Sequence, residues 1–371
     1  MKKTFLLLSF ALLTLGACSS DDNNDTNTPV GPSVGQVLQP SVGGPNQPNQ
    51  VFVDLSTGKI ESVNRATWDL GFSSGSDFRV TLNGSLKMAV KKLETSDITL
   101  VQQSDVSVAI GVGNNTVLSS KGFADNPTGV LAGAGAGIGT AIAEVSATDA
   151  DNKVYLVNLG LGIGTDKPAL GSANTDGAAR GWKKIRILRS GNGYKIQYAD
   201  LASTTFQEKV VAKTAGFNFT FFSLTSGNTV SVEPEKTKWD LGFTTFTNYI
   251  PNVDADNKPT EVTYGFADFT VSNMKGGTQV YQVLVATGGS YADFTKAKVD
   301  EANFKISLTD QRVIGAGWRV GGGPGTLPSI KTDRFFVVKD IEGNYYKVKF
   351  LTMTNTAGER GYVSFEYALL K

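Results

Sequence analysis

The pentapeptide Trp68-Asp69-Leu70-Gly71-Phe72 occurs a second time in this chain, as Trp239-Asp240-Leu241-Gly242-Phe243. The two copies stay aligned on both sides of it, and residues 196–201 of the first match residues 365–370 of the second. Self-similarity over such a distance is the sequence signature of a repeated unit, because chance does not place collinear matches around a tryptophan-containing pentapeptide. The chain therefore contains two tandem copies of one ancestral unit.

Strand-like segments dominate both copies of the unit. Residues 153–159, for example, form an apolar run of strand length, and turns rich in glycine and asparagine separate such runs. Helical periodicity is scarce, and residues 125–145 and 292–303 are the best candidates for short helices. The sequence therefore predicts an all-β fold with few short helices, in which two tandem and mostly antiparallel β domains cover residues 51–205 and 215–371.

The repeated pentapeptide is predicted to lie on a strand of each domain. Side chains alternate between the two faces of a strand. Trp68, Leu70 and Phe72 are therefore predicted to share one face, with Asp69 and Gly71 on the other. A glycine behind a large apolar face suits a strand that another element approaches closely. We accordingly assign both tryptophans to the domain interior rather than to a ligand.

The N-terminus is typical of an exported protein. Two lysines precede the apolar run 5–15, which is too short to span a bilayer and leads through small residues to Cys18. The segment resembles a bacterial lipobox, which implies a signal peptide over residues 1–17 and lipidation of Cys18. Residues 18–50 are rich in Asn, Pro, Gly and Ser, so we predict a disordered tether. The expected localisation is a lipid anchor in the outer membrane, with the protein exposed at the cell surface.

Composition excludes several classes of function. The chain has 35 Lys and Arg against 34 Asp and Glu, so no charge excess points to nucleic acid. It has no histidine and a single cysteine, so Ser-His-Asp, Cys-His and His-zinc sites cannot form. Residues 149–152 and 254–257 hint at Ca²⁺ but lack the later glycine and glutamate of a complete loop. We predict a protein that is not an enzyme, has no metal site and contacts the membrane only through its lipid.

An early Trp-Asp strand and a late aromatic-rich hairpin recur in the two repeats. In the second repeat these are residues 239–243 and 334–367, and in the first, more weakly, residues 68–72 and 194–198. Together they resemble the HmuY family of haem-binding outer-membrane lipoproteins, although the middles of both repeats match poorly and known members have a single domain. The resemblance implies a surface-anchored protein that captures haem and passes it to an outer-membrane receptor for import.

The resemblance implies haem as cargo, but the axial histidines of the family's best-known binding mode are absent here. Related members use methionine thioethers, which are accepted axial ligands. The candidates are Met88 and Met274, one in the middle of each repeat, whereas Met353 follows a core strand and is assigned to packing. A Met–Met pair would require one pocket shared by both repeats. Phenol ligands stay open as an alternative at Tyr249, Tyr264 and Tyr281.

Two functions are predicted from these features. The first is a surface lipoprotein that binds haem or a related planar ligand for uptake, without catalysis and without histidine ligation. The alternative is a surface interaction module that kept the fold, lost haem binding and recognises a protein or glycan. The fuller aromatic ending of the second repeat favours residues 215–371 as the better-packed domain and the one that retains a ligand site.

Overall fold

The structure is a computed structural model that describes residues 32–111, 118–253, 256–323 and 326–371. The predicted signal peptide and Cys18 lie outside these residues. Strands dominate the described part of the chain, which confirms the all-β class. In chain order the strands are β1 (Gly35–Leu38), β2 (Asn49–Val53), β3 (Ile60–Asn64), β4 (Leu70–Ser73), β5 (Val80–Leu82), β6 (Ala89–Lys92), β7 (Tyr155–Asn158), β8 (Leu161–Ile163), β9 (Asp176–Ala179), β10 (Trp182–Ser190), β11 (Gly193–Asp200), β12 (Gln207–Val211), β13 (Phe219–Ser223), β14 (Asn228–Val230), β15 (Leu241–Val253), β16 (Pro259–Ser272), β17 (Gln279–Leu284), β18 (Arg319–Val320), β19 (Ser329–Ile330), β20 (Arg334–Lys339), β21 (Tyr345–Thr354) and β22 (Arg360–Leu369).

Helical segments in the described residues are short. They are the single α-helical turn α1 (Val285–Gly288) and 3₁₀ segments at Gly44–Asn46, Gly84–Leu86, Ile98–Leu100, Leu118–Phe123, Asp149–Asp151, Lys296–Lys298 and Glu301–Leu308. The prediction of a helix over residues 125–145 is wrong. Gly135 and Gly139 there have φ of 89° and 75°, a left-handed conformation that no α-helix accommodates. The segment is an irregular loop instead.

Four antiparallel sheets form two modules. The first module joins the sheet β12-β11-β10-β7-β6 to the sheet β14-β13-β4-β5, and its core includes Leu70, Phe72 and Tyr194. The second module joins β1-β22-β21-β20-β17 to β16-β15-β2-β3, with Leu241 and Phe243 in its core. The Leu and Phe of each pentapeptide therefore pack at the centre of one module. The pairs β8–β9 and β18–β19 form separate small sheets.

The two modules are out of phase with the sequence repeat. In the first module β4 pairs with β13, with Leu70 opposite Phe222, and in the second β15 pairs with β2, with Leu241 opposite Val53. Val53 and Phe222 occupy equivalent positions of the two repeats. The first module is thus contiguous from β4 to β14, whereas β1–β3 cross over to complete the second. Strand pairing runs across the boundaries of 51–205 and 215–371.

The predicted tether is shorter than expected. Strand β1 pairs with β22, with Gly35 opposite Ala368 and Leu38 opposite Phe365. Leu38 and Val42 are buried in the core of the second module. The prediction of disorder over residues 18–50 is therefore wrong for residues 32–50. Their composition cannot form a core alone, but the open edge of β22 supplies hydrogen-bond partners that no local pattern reveals.

Contrary to the prediction, the two tryptophans do not share a strand face with the leucine and phenylalanine of their pentapeptides but lie on the opposite face. Strands β4 and β15 begin at the leucine, so the Trp-Asp pair precedes the strand and the period-two alternation does not extend to it. The ring of Trp239 packs against the glycine face instead, since a Cβ at Gly242 would lie 3.5 Å from that ring and 3.1 Å from Cγ2 of Val271. The close approach predicted at the glycine is confirmed, and the shared face of Trp, Leu and Phe is not.

The aspartate of each pentapeptide binds the chain just after the strand that comes from the other sequence repeat. The carboxylate of Asp69 accepts a hydrogen bond from the backbone N–H of Leu224 at 2.7 Å, and that of Asp240 accepts one from Leu55 at 2.9 Å. Asp69 also forms an ion pair with Arg180 at 2.8 Å. Asp240 has a threonine hydroxyl as its other partner, and burial raises the pKa of Asp240 to about 7.

Asp240 is expected to make the protein less stable at pH 8 than at pH 5. Its folded pKa of about 7 lies above the ordinary value, so its stabilising contribution is complete at low pH and is lost as the pH rises through 7. The loss between pH 5 and pH 8 is about 3 kcal/mol, since two pH units lie between pH 5 and the folded pKa. Urea unfolding at both pH values tests this, and Asp240→Asn is expected to reduce the difference by that amount. An unchanged difference in the variant would contradict the assignment.

Candidate ligand cavity between the two modules

A cavity of about 180 Å³ lies where the two modules meet. Its aromatic wall contains Trp68 and Phe221, whose ring centroids are 4.8 Å apart, and Phe52 and Trp239, whose centroids are 5.0 Å apart. Both pairs are edge-on, the preferred arrangement of aromatic rings. Each pair joins the tryptophan of one sequence repeat to a phenylalanine of the other repeat, on the strand that pairs with its own module. The exchange therefore builds the wall.

One wall of the cavity is the loop segment 124–131, part of the region wrongly predicted as a helix. Two side chains of the second repeat hold it in place. Nε2 of Gln311 donates to the carbonyl of Pro127 at 3.0 Å, and Nζ of Lys275 donates to the carbonyl of Gly129 at 2.8 Å. The segment itself contains no strand. Backbone N–H groups of Gln311 and Thr140 also donate to its carbonyls, at Thr128 and Leu131.

Both candidate methionines line this cavity. Met88 belongs to the core of the first module and is 1% exposed, whereas Met274 follows β16 and is half-buried. Met353 packs in the core of the second module. Met88 and Met274 therefore border one cavity that both repeats line, and their role as a ligand pair stays a prediction. The alternative phenol ligands Tyr249, Tyr264 and Tyr281 are not among the described residues that line this cavity.

Two buried carboxyl groups stand at the cavity, and both are bound to backbone N–H groups. The carboxyl of Asp125 accepts from Leu82 and Ala141, each at 2.7 Å. One oxygen of Glu233 accepts from Asn218 and Phe219, each at 3.0 Å. Burial raises the pKa of Asp125 to about 6 and that of Glu233 to about 7. Near pH 7 the carboxyl of Asp125 is therefore mostly ionised, and that of Glu233 is about half ionised.

Three donors at the cavity have unused hydrogen-bonding capacity. The ammonium of Lys275 has no carboxylate within ion-pair distance among the described residues, and burial lowers its pKa to about 8. Within the same part of the chain, Nε1 of Trp239 and Oγ1 of Thr244 have no hydrogen-bond partner, although these residues are only 9% and 5% exposed. Sequence reasoning missed Lys275 and Thr244 because no motif distinguishes them, and it assigned Trp239 to packing alone.

No group of three or more acidic or cysteine side chains suited to a metal ion occurs in the described ranges. Among the same residues, no helix has the length and apolar character needed to cross a membrane.

A family model described as HmuY protein matches this chain twice, over residues 46–210 and 216–367. The crystal structure of the apo HmuY analog of Tannerella forsythia is similar at 12% identity over 91% of this chain and 96% of its own, with a TM-score of 0.23. A protein of Bacteroides vulgatus, assigned as HmuY-like and heme binding, shares 11% identity over 90% of this chain and 91% of its own, with a TM-score of 0.18. Apo PinO from Porphyromonas gingivitis shares 17% identity over 48% of this chain and 91% of its own, with a TM-score of 0.17. No match was found among the curated proteins, so the assignment rests on the family model.

Proposed function

Because the chain belongs to the HmuY family, we propose that it binds haem or a related planar ligand in the cavity between its modules. Proteins of this family are binding proteins rather than enzymes. One observation carries the proposal to this site: Met88, Met274 and the four aromatic rings of Phe52, Trp68, Phe221 and Trp239 line a single cavity. Aromatic walls suit a planar ring, and thioether sulfur is a suitable axial ligand for haem iron.

Met88 and Met274 are the proposed axial ligands. They come from different modules, so a haem held by both would bridge the two halves of the molecule. Thioether is a soft and neutral ligand, which favours ferrous over ferric iron. Reduced haem is therefore expected to bind more tightly than oxidised haem. The proposal also includes lipidation of Cys18, which the lipobox supports. It further includes display at the cell surface and transfer of the cargo to an outer-membrane receptor, which the family supports.

Entry of a porphyrin requires the cavity to open. Its volume of about 180 Å³ is below the roughly 300–1,000 Å³ of small-molecule sites. The loop segment 124–131 is the wall that we expect to move, because it contains no strand and is held by individual hydrogen bonds, such as those from Lys275, Gln311 and Leu82. Opening breaks a few hydrogen bonds, each of which contributes about 1 kcal/mol.

The first test is a haemin titration of the mature protein and of three methionine-to-leucine variants. Met→Leu conserves volume and usually costs less than about 1.5 kcal/mol, so the variants are expected to fold. Met88→Leu and Met274→Leu should each lose the Soret shift of the wild-type complex, or weaken binding by about tenfold or more in the reduced state. Absorbance titration with and without dithionite measures this.

Met353→Leu is the matched control, because Met353 is 2% exposed in the core of the second module. It is expected to bind haemin like the wild type. Equal loss in all three variants would indicate a general effect on folding. Wild-type affinity in both Met88→Leu and Met274→Leu would rule out thioether ligation.

The alternative, a surface interaction module that no longer binds haem, is favoured by the small cavity and by Met88 being only 1% exposed. The same titration separates the two functions. If micromolar protein gives no Soret shift in either redox state, haem binding is excluded, and the protein is expected to bind a protein or glycan instead. A shift that Met88→Leu and Met274→Leu abolish excludes the alternative for this cavity.

A further inference from the structure

The two tryptophans of the repeated pentapeptide differ in their hydrogen bonds. Nε1 of Trp68 donates to Oε1 of Gln50 at 3.3 Å, across the junction of the modules. The equivalent position of the second repeat holds Phe219, which has no acceptor to offer. Nε1 of Trp239 is consequently buried without a partner among the described residues. Leaving a buried donor unpaired is unfavourable, so this orphan points to a ligand.

A second unpaired group lies on the same side of strand β15. Gly242 and Thr244 alternate to the same face of the strand, and the ring of Trp239 covers Gly242 on that face. Oγ1 of Thr244 is buried and also lacks a partner within the described residues. Trp239 and Thr244 both line the cavity. Two unsatisfied donors, one before strand β15 and one on it, thus belong to residues that line the same cavity.

The ammonium of Lys275 lies at the same end of the cavity. Its Nζ is 5.6 Å from the ring centroid of Phe219, the residue that replaces the acceptor for Trp239. The backbone N–H of Asn273, two residues before it, donates to the carbonyl of Asp240 at 2.8 Å and holds this segment next to Trp239. The carboxyls of Asp125 and Glu233 accept hydrogen bonds from backbone N–H groups and lie beyond ion-pair distance of Lys275. Both still attract its ammonium and oppose the lowering of its pKa by burial.

We propose that the cavity binds its ligand through a carboxylate, which pairs with Lys275 and accepts hydrogen bonds from Trp239 and Thr244. This inference rests on the proposed function and extends it, because haem and related porphyrins carry carboxylates at one edge of the ring. When the ligand binds, Nζ of Lys275 gives up its hydrogen bond to the carbonyl of Gly129 and pairs with the ligand carboxylate instead. Carboxylate binding therefore also releases one of the bonds that hold the loop segment 124–131 closed. Charge-assisted hydrogen bonds of this kind are the stronger class in proteins.

Metal-free protoporphyrin IX and its dimethyl ester test the proposal without any contribution from iron ligation. Quenching of tryptophan fluorescence at pH 7 measures the affinity of the full-length protein for each. The free acid is expected to bind at least about tenfold more tightly than the ester. Lys275→Met is expected to abolish this preference and Lys275→Arg to retain part of it. Trp239→Phe removes the N–H but keeps a ring, and is expected to reduce the preference.

Lys213→Met is the matched control. Lys213 also donates to backbone carbonyls and lies 3.9 Å from the centroid of a phenylalanine ring, that of Phe78, but it does not line the cavity. It should keep the full preference for the free acid. Equal affinity for acid and ester, or a preference that persists in Lys275→Met, overturns the carboxylate site while porphyrin binding stands. Failure of both porphyrins and of haemin to bind overturns the proposed function together with this inference.

Discussion

A fragment comprising residues 66–235 is expected to fold cooperatively, whereas residues 51–205 are not. The shorter fragment follows the sequence repeat but omits β12, β13 and β14, and with them Val211, Phe222 and Leu224 of the first core. Burial of each such side chain contributes about 1.5–3 kcal/mol. The combined loss approaches the roughly 5–15 kcal/mol of a whole domain. Urea unfolding followed by circular dichroism should give one sharp transition for 66–235 and none for 51–205.

Residues 215–371 provide the complementary comparison. This fragment lacks β1 and β2, which supply Leu38, Val51 and Val53 to the second core. Adding residues 32–65 as a separate peptide is expected to restore its folding, since these strands reach the second module from the N-terminus. Cooperative unfolding of 51–205 and 215–371 alone, with none for 66–235, would show that the modules follow the sequence repeat after all.

Asp69→Asn is expected to destabilise the protein by about 3–5 kcal/mol, the cost of breaking a buried ion pair by removing one partner. Asp69 is fully buried and joins two parts of the first module. It accepts from the N–H of Leu224 and forms the ion pair with Arg180, whose side chain is 15% exposed. The variant leaves that guanidinium without its charge partner. The free energy of unfolding in urea at pH 5 measures the effect.

Asp240→Asn is the matched control, because Asp240 occupies the equivalent position of the second repeat and binds Leu55 in the same way. With a pKa of about 7, it is largely protonated at pH 5, so an amide replaces a neutral acid of the same shape. We expect a loss of less than about 1 kcal/mol. Losses of equal size at pH 5 would mean that the ion pair with Arg180 contributes nothing measurable.

The sequence could name candidate ligands only among residues that carry a chemical signature. Thioether ligands are so few in this chain that Met88 and Met274 could be named, and the need for a shared pocket followed from one candidate in each repeat. Lys275 and Thr244 could not be found, because their relevance comes only from missing partners in three dimensions. The site was also not confined to residues 215–371, since both repeats line the cavity.

What the sequence determined by itself was the duplication, the all-β class and the family, since these depend on patterns within short segments. Only the tertiary structure decided which strand joins which module. Residues 51–55 and 220–224 occupy equivalent positions of the repeats and carry a similar apolar pattern, so either could pair with β4 or with β15. Hydrogen bonds and burial between segments distant in the chain select one pairing. That choice places the two tryptophan–phenylalanine pairs at the junction of the modules and so creates the cavity.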